Sequence, residues 1–292
     1  MVQDGNNGVS VVLGSYNRLD FIKLTIDSIR SELNDSVFSY EIIVIDGGST
    51  DGTMEWLIGQ KDILTIIQHN QKSWNGQPIK RQSWGYFMNL GFKCAKGKYI
   101  CMLSDDCLVV PGAINNGYAL FEEKLNNNEK VGAIAFYFRN YPVDDFYYVG
   151  LSFGKLFVNH GMYHKKAIED VGYIDEDSYF FYHADGDLCL KMWNAGYRCI
   201  DSPHSFIEHH AHANISIRNT NLDKQKKDWE TYNNKWNKIF STDIPEDKQY
   251  ISLYYNDTTN TADRFLAVDS NLKKFSKLLY AVKNHYMRRK SS

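Results

Sequence analysis

Two aspartates stand side by side, Asp105 and Asp106, at the end of the apolar run Tyr99 to Leu103. A short apolar run after Gly97 reads as a buried strand. Ending it on two carboxylates brings negative charge to the rim of a parallel sheet, where open α/β sheets take their ligands. Adjacent carboxylates repel, so a cation is their natural partner, and hard oxygen ligands select Mg2+ or Mn2+, usually in company with a diphosphate. The other reading is a helix N-cap, since Pro111 follows and aspartate caps well. A third carboxylate, Asp185, opens a stretch with Leu188, Met192 and Trp193 at helical spacing and Gly196 as its stop. It is either a cap or a group able to take a proton from an attacking hydroxyl. A helix N-terminus favours its charged form and lowers its basicity, and burial under Tyr179, Phe180, Phe181 and Tyr182 would offset that. Asp187 reads as a cap or a supporting group.

The cluster Glu208-His-His-Ala-His212 could supply an imidazole to manganese, while no H-E-x-x-H zinc motif occurs. His210 and His212 are expected to face solvent or an acceptor. Lys80 and Arg81 either meet phosphates or are solvated surface charge. The turn Gly14-Ser15-Tyr16-Asn17-Arg18 follows an apolar strand and suits a stacked base or ribose, or is an ordinary loop. It is neither G-x-G-x-x-G nor a P-loop. The aromatic stretch 136–157 has the composition of a sugar-stacking surface or of a packed flap, and no residue is singled out there.

These residues need a sheet to hold them. Apolar runs at Val9–Leu13, Glu41–Ile45, Leu64–Ile67 and Tyr99–Leu103 alternate with helical patterns, the first over Asp20–Glu32, which predicts a mostly parallel α/β sheet. Asp51 or Thr53 would cap the second helix. The 292 residues carry 43% hydrophobic side chains and a net charge of -2, enough for a core and no basis for a broad nucleic-acid surface. Five cysteines without a C-x-x-C pair point to a reducing compartment and away from cysteine-held metal. No apolar run approaches the ~20 residues that cross a bilayer, and no secretory leader pattern opens the chain, so a cytosolic protein is expected. The main domain is expected to span 1–240, with a nucleotide-binding half to about 106 and an acceptor half over 107–215. Residues 241–292 would form an extension ending in a basic amphipathic helix, Asn271 to Lys290, suited either to an anionic membrane surface or to docking.

Four segments resemble the inverting, metal-dependent family 2 glycosyltransferases of the GT-A fold. Ser10-Val-Val-Leu-Gly-Ser-Tyr-Asn-Arg18 is similar to S-V-V-I-P-T-Y-N-R, and Val44-Ile-Asp-Gly-Gly-Ser-Thr-Asp-Gly-Thr53 to V-V-D-N-G-S-T-D-G-T. Asn89-Leu-Gly-Phe-Lys-Cys-Ala-Lys-Gly-Lys-Tyr-Ile100 matches N-x-G-x-x-x-A-x-G-x-Y-I, and Ser104-Asp105-Asp106 then falls on D-x-D. Gly172-Tyr-Ile-Asp-Glu176 and the segment 180–191 resemble G-x-F-D-E followed by E-D-x-D-L. The order is kept over roughly 9–215. The resemblance implies a nucleoside-diphosphate sugar donor of the UDP type and a glycan or lipid-linked glycan acceptor. It implies Asp106 as direct metal ligand, Asp105 assisting, and His209 rather than His212 closing the site. Asp46 would accept the imide N–H of the base, and Asp185 would be the catalytic base. Gly14, Ser15, Tyr16, Arg18, Arg81 and Ser104 complete the donor site. Gly14, Ser104 and Ala184 depart from the usual residues, which leaves open a sugar-nucleotide-binding protein with little transfer. A nucleotidyltransferase would need a phosphate-gripping glycine-rich start that is absent.

Overall fold

The computed structural model describes residues 8–70, 73–210, 215–240 and 249–269, with 215–223 described by their backbone alone. His212 and the basic segment 271–290 lie outside the described residues. Among those described, no helix is long and apolar enough to cross a membrane.

Alternate residues of the first strand meet helices on opposite faces. In β1 (Val9–Ser15), Val9, Val11 and Leu13 pack with Ile22, Ile26, Ile29 and Leu33 of α1 (Leu19–Leu33), whereas Val12 packs with Phe87, Met88 and Phe92. β2 (Tyr40–Asp46) repeats this, Ile42 and Val44 on one side and Ile43 and Ile45 on the other. Strands covered on both faces read as unbroken apolar runs, which is how they stand in the sequence. The four α1 side chains are fully buried, each worth about 1.5–3 kcal/mol of burial.

The chain continues through α2 (Thr53–Ile58), β3 (Ile63–Ile67), a hairpin of β4 (Ser73–Trp74) and β5 (Gln77–Pro78), α3 (Trp84–Cys94) and β6 (Tyr99–Met102). β3, β2, β1 and β6 lie side by side in that order, all parallel. The order reverses between β1 and β6, so the crevice beyond their C-terminal ends is the expected ligand site of an open sheet. α3 lies close on the sheet because Gly91 has no side chain: a Cβ there would stand 2.5 Å from Val12 and 2.7 Å from Ile45.

Beyond β6 the sheet turns mixed. β7 (Cys107–Val109), α4 (Ala113–Asn126), β8 (Val131–Tyr141), β9 (Tyr147–Ser152), β10 (Lys155–Leu156) and β11 (Gly161–His164) precede α5 (Lys165–Asp170) and α6 (Ala184–Asn194). β12 (Arg198–His210) runs parallel to β8 and antiparallel to β7, placing His209 opposite Cys107. α7 (Ile215–Trp236) follows.

Three expectations are corrected. The N-cap reading of Asp105 and Asp106 fails, because α4 is capped from α1: Glu32 accepts the N–H groups of Gly112, Ile114 and Asn115. Gly52, in the left-handed conformation, occupies the N-cap of α2, while Asp51 accepts from the N–H groups of both Thr53 and Leu19 and so serves two helix starts. Residues 249–269 do not stand apart from the main domain. β13 (Tyr250–Leu253) pairs with β9, and a 3-10 helix, Thr261–Ala267, buries Phe265 against Leu108.

Candidate functional site

The turn after β6 is held by the helix that follows β1. The Thr25 hydroxyl of α1 donates to the carbonyls of Asp105 (3.0 Å) and Cys107 (2.7 Å). Ser15, at the end of β1, donates to Asp105 Oδ2 at 2.8 Å. Arg18 reaches both carboxylates: Nη1 lies 3.6 Å from Asp105 Oδ1 and hydrogen-bonds to Asp106 Oδ2. The other oxygen of Asp106 faces His209 Nε2 at 3.4 Å. Burial, with the neighbouring Asp106 charge, pushes Asp105 up to about 6. Burial alone would raise Asp106 as well, but His209 and Arg18 outweigh it and hold this carboxyl well below the usual range.

His209 is oriented from behind. Its Nδ1 lies 2.8 Å from Asn140 Oδ1, an acceptor that calls for a proton on Nδ1, so Nε2 is the nitrogen turned to Asp106 and the one that would meet an ion. Asn140 is held in turn: its amide nitrogen donates to Asp144 Oδ2 and to the Tyr148 hydroxyl, each at 2.7 Å. Cys107, which its spacing sets aside as a ligand, shares the cluster, since ligand atoms of Asp106, Cys107 and His209 all lie within 4.8 Å of one another. A carboxylate and an imidazole suit Mn2+ or Mg2+, with diphosphate oxygens and water completing the shell. The soft thiol does not, and burial pushes it well up, so it stays protonated. The residues fit a hard divalent ion on Asp106 and His209.

The remaining expected positions spread around this centre. Ser104 and Gly14 are half-buried beside it, as is Tyr16, which lines Gly47. Asp46 is fully buried, its carboxylate accepting from the N–H groups of Gly48 and Ser49 and from the Ser49 hydroxyl, so in this structure it shapes its own turn. Arg81 is exposed and lies over the Phe180 ring at 5.0 Å. Lys80 is exposed. His210, expected to face solvent or acceptor, is instead buried between Phe21 and Phe265, because the register that turns His209 to the site turns its neighbour away.

Asp185 sits in the first turn of α6, after His183 in a left-handed conformation. Its Oδ2 accepts from the Asn159 amide at 3.1 Å and its Oδ1 from Gly186 N at 2.8 Å. The residue keeps some exposure, yet its carboxyl is densely surrounded and burial raises its pKa, with Gly186, His183 and Asn159 opposing. The aromatic cover differs from expectation: Phe181 is 38% exposed and Tyr179 donates to Asp187 instead. Asp187 is no cap. It is fully buried, and its Oδ1 receives Tyr179, Trp236 and Lys235, which ties α6 to α7. Asp228 of α7 accepts three consecutive N–H groups, of Phe180, Phe181 and Tyr182, and so fixes the loop before Asp185. Asn159, which meets Asp185, is followed by His160, whose ring lies 5.6 Å from that of His209.

Asn89 explains two motifs at once. Its side chain donates to Ile174 O (2.9 Å) and Glu176 (2.7 Å) and accepts from Ile174 N, joining α3 to the 172–176 loop. A cleft of about 340 Å3 at this junction, lined by Asn89, Tyr173, Asp175 and Glu176, includes neither Asp106 nor Asp185.

Asn140, Asn159, Asp228 and Thr25 escape a reading of the sequence. Each acts on a distant partner, and only the asparagine before an aromatic, proline-broken stretch marks Asn140 at all.

The WfaP protein of Escherichia coli, a UDP-Glc:alpha-D-GlcNAc-diphosphoundecaprenol beta-1,3-glucosyltransferase, is 29% identical over 154 residues, covering 52% of this chain and 54% of that one. Chondroitin synthase of Escherichia coli is 26% identical over 112 residues, 37% of this chain and 14% of its own length. A Rickettsia bellii glycosyltransferase is 39% identical over 101 residues, 34% of this chain and 13% of its own. The chain thus spans only a small part of two of these relatives and about half of the third. Among solved structures, Staphylococcus aureus TarS superposes with a TM-score of 0.53 at 14% identity, over 80% of this chain and 44% of that one. The mannosyltransferase PcManGT of Pyrobaculum calidifontis, in complex with GDP-Man and Mn2+, gives 0.53 at 17% identity, over 77% and 64%. The fold is that of GT-A glycosyltransferases. The glycosyl transferase family 2 model matches residues 10–166, more than half of the 292 residues, and the chain belongs to that family.

Proposed function

We propose that this glycosyltransferase moves a sugar from a UDP-type donor to a hydroxyl of a glycan or lipid-linked glycan, with inversion and with Mn2+ or Mg2+. The supporting observation is the pairing of Asp106 with His209, together with a separate half-buried carboxylate, Asp185, whose partner Asn159 precedes the His160 ring that lies beside His209. The two ends of the breaking bond need different help. The leaving diphosphate gathers negative charge, and Asp106 and His209 would hold a divalent ion able to supply Lewis-acid stabilisation there. The attacking hydroxyl must lose a proton, and Asp185 would accept it at Oδ2, the oxygen that the Asn159 amide meets. Base and ribose lie along the turn after β1, with Gly14, Ser15 and Tyr16, and on the turn that Asp46 shapes. Arg81 and Ser104 flank the phosphates.

The UDP-glucosyltransferase WfaP among the relatives, and TarS, solved in complex with UDP-GlcNAc at a TM-score of 0.51, support the choice of donor. The test is release of UDP from a panel of UDP-sugars with and without Mn2+, repeated with GDP- and dTDP-sugars. Mn2+-dependent UDP release with a soluble saccharide acceptor is the expected result. Donor binding without turnover over that panel would sink the transfer reading, and a preference for GDP-sugars would sink the choice of base.

A further inference from the structure

Arg18 holds Oδ2 of Asp106, the oxygen beside the one that faces His209, and so crowds the position where a metal ion would meet the acidic pair. Its side chain is 11% exposed, and the guanidinium contacts Asp106 Oδ2 while standing 3.6 Å from Asp105 Oδ1. Its backbone is pinned, Arg18 N donating to Thr53 Oγ1 at 3.2 Å and Arg18 O accepting from Ile22 N at 2.8 Å. Any change of position therefore belongs to the side chain. An ion shared by Asp106 and His209 sits about 2.1 Å from each ligand atom. That would put two positive charges against the present position of the guanidinium, in a poorly hydrated site where like charges repel strongly. Metal and guanidinium would then share one carboxylate through its two oxygens, and their repulsion favours one occupant at a time. A displaced Arg18 needs another anion, and the donor's diphosphate is the one that arrives; guanidinium and phosphate match in a bidentate pair.

Resting on the assignment of Asp106 and His209 above, we propose that Arg18 is a placeholder cation that couples metal binding to donor binding. It neutralises Asp105 and Asp106 in the donor-free protein, yields Asp106 to the divalent ion, and moves to the diphosphate. Mn2+ alone then binds weakly because it must displace a cation with nowhere to go. Mn2+ with UDP binds well, and by linkage each raises the affinity for the other by the same factor.

The experiment measures free Mn2+ by electron paramagnetic resonance during titration of the full chain and of Arg18→Gln, each with and without UDP. Without UDP, Arg18→Gln should bind Mn2+ roughly tenfold or more tightly than the unmodified protein, the scale of an ordinary allosteric coupling. UDP should then strengthen Mn2+ binding less in the variant. Arg18→Lys, which keeps the charge, should stay close to the unmodified protein. Equal or weaker Mn2+ binding by Arg18→Gln without UDP overturns the proposal. Should Arg18→Gln not fold, Arg18→Met, which keeps the side-chain volume, is judged by the same criterion. If the unmodified protein binds no Mn2+ even with UDP, the metal assignment itself falls, and this inference with it.

Discussion

The amide nitrogen of Asn159 lies 3.1 Å from Oδ2 of Asp185 and donates to it. An amide donor stabilises the carboxylate over the acid, and so opposes the burial that raises Asp185. Replacing Asn159 with Leu removes that opposition. The acidic limb of the pH–rate profile should move to higher pH and kcat should fall, while KM for the donor changes little. An unmoved limb would show that Asn159 does not act through Asp185.

Asp185→Asn keeps the side-chain shape and loses the proton acceptor. Transfer should fall by roughly 100-fold or more, with UDP affinity unchanged by calorimetry. Stability should move the other way. Because the folded-state pKa of Asp185 is raised, the folded protein binds the proton more tightly, and stability is lost as pH rises from the ordinary carboxylate range through the raised value. An asparagine escapes that loss, so its Tm at pH 7.5 should exceed that of the unmodified protein, a difference that closes at acid pH. A lower Tm at both pH values would make the position structural.

Asn140 touches no expected ligand atom except through His209 Nδ1. Asn140→Leu frees the imidazole to turn or to take the other tautomer, and Mn2+ affinity in the presence of UDP should weaken about 10- to 100-fold, as for other outer partners of metal-bound histidine. Metal affinity equal to that of the unmodified protein would remove Asn140 from the site.

Asp187 and Asp185 are two residues apart and do different things. Asp187→Ala strands Tyr179 and Trp236 without their acceptor and leaves Lys235 with Asp175, and should cost about 3 kcal/mol of folding stability in urea unfolding. Activity of the fraction that remains folded should fall far less than in Asp185→Asn. Full stability with lost activity would exchange the two roles.

Much of the frame was legible because it is local. The runs at 9–13, 41–45 and 99–103 form strands with both faces covered, and the two-face packing of Val11 and Val12 is what makes them continuous. Asp105, Asp106 and His209 were legible as charge at strand ends. What stayed hidden acts over long separations in the chain. Glu32 caps a helix 80 residues later, Asp228 binds the 180–182 loop, and Asn140 aligns a histidine 69 residues away. None of these leaves a periodicity. The placement of 249–269 was missed for the same reason, since β13 has only four residues and its partner β9 lies about 100 positions earlier. Asp46 shows a further difficulty, because an aspartate beside two glycines reads alike whether it binds a base or its own turn.

His209 meets Asp106 because β12 and β7 pair in one frame, His209 opposite Cys107 and Ile207 opposite Val109, with His210 N bonded to Asp106 O. Side chains alternate along a strand, so a slip of one residue would bring Glu208 or His210 to the ion instead. Glu208 is meanwhile engaged by Arg139 and Tyr147. The frame of this ladder therefore selects an imidazole over a carboxylate, much as a reading frame selects a codon. β12 already carries an irregularity between Ser202 and Phe206 where its pairing with β8 shifts. An inserted or deleted residue at that point would turn a different side chain of β12 toward Asp106 while the residues of Glu208–His210 themselves stayed unchanged.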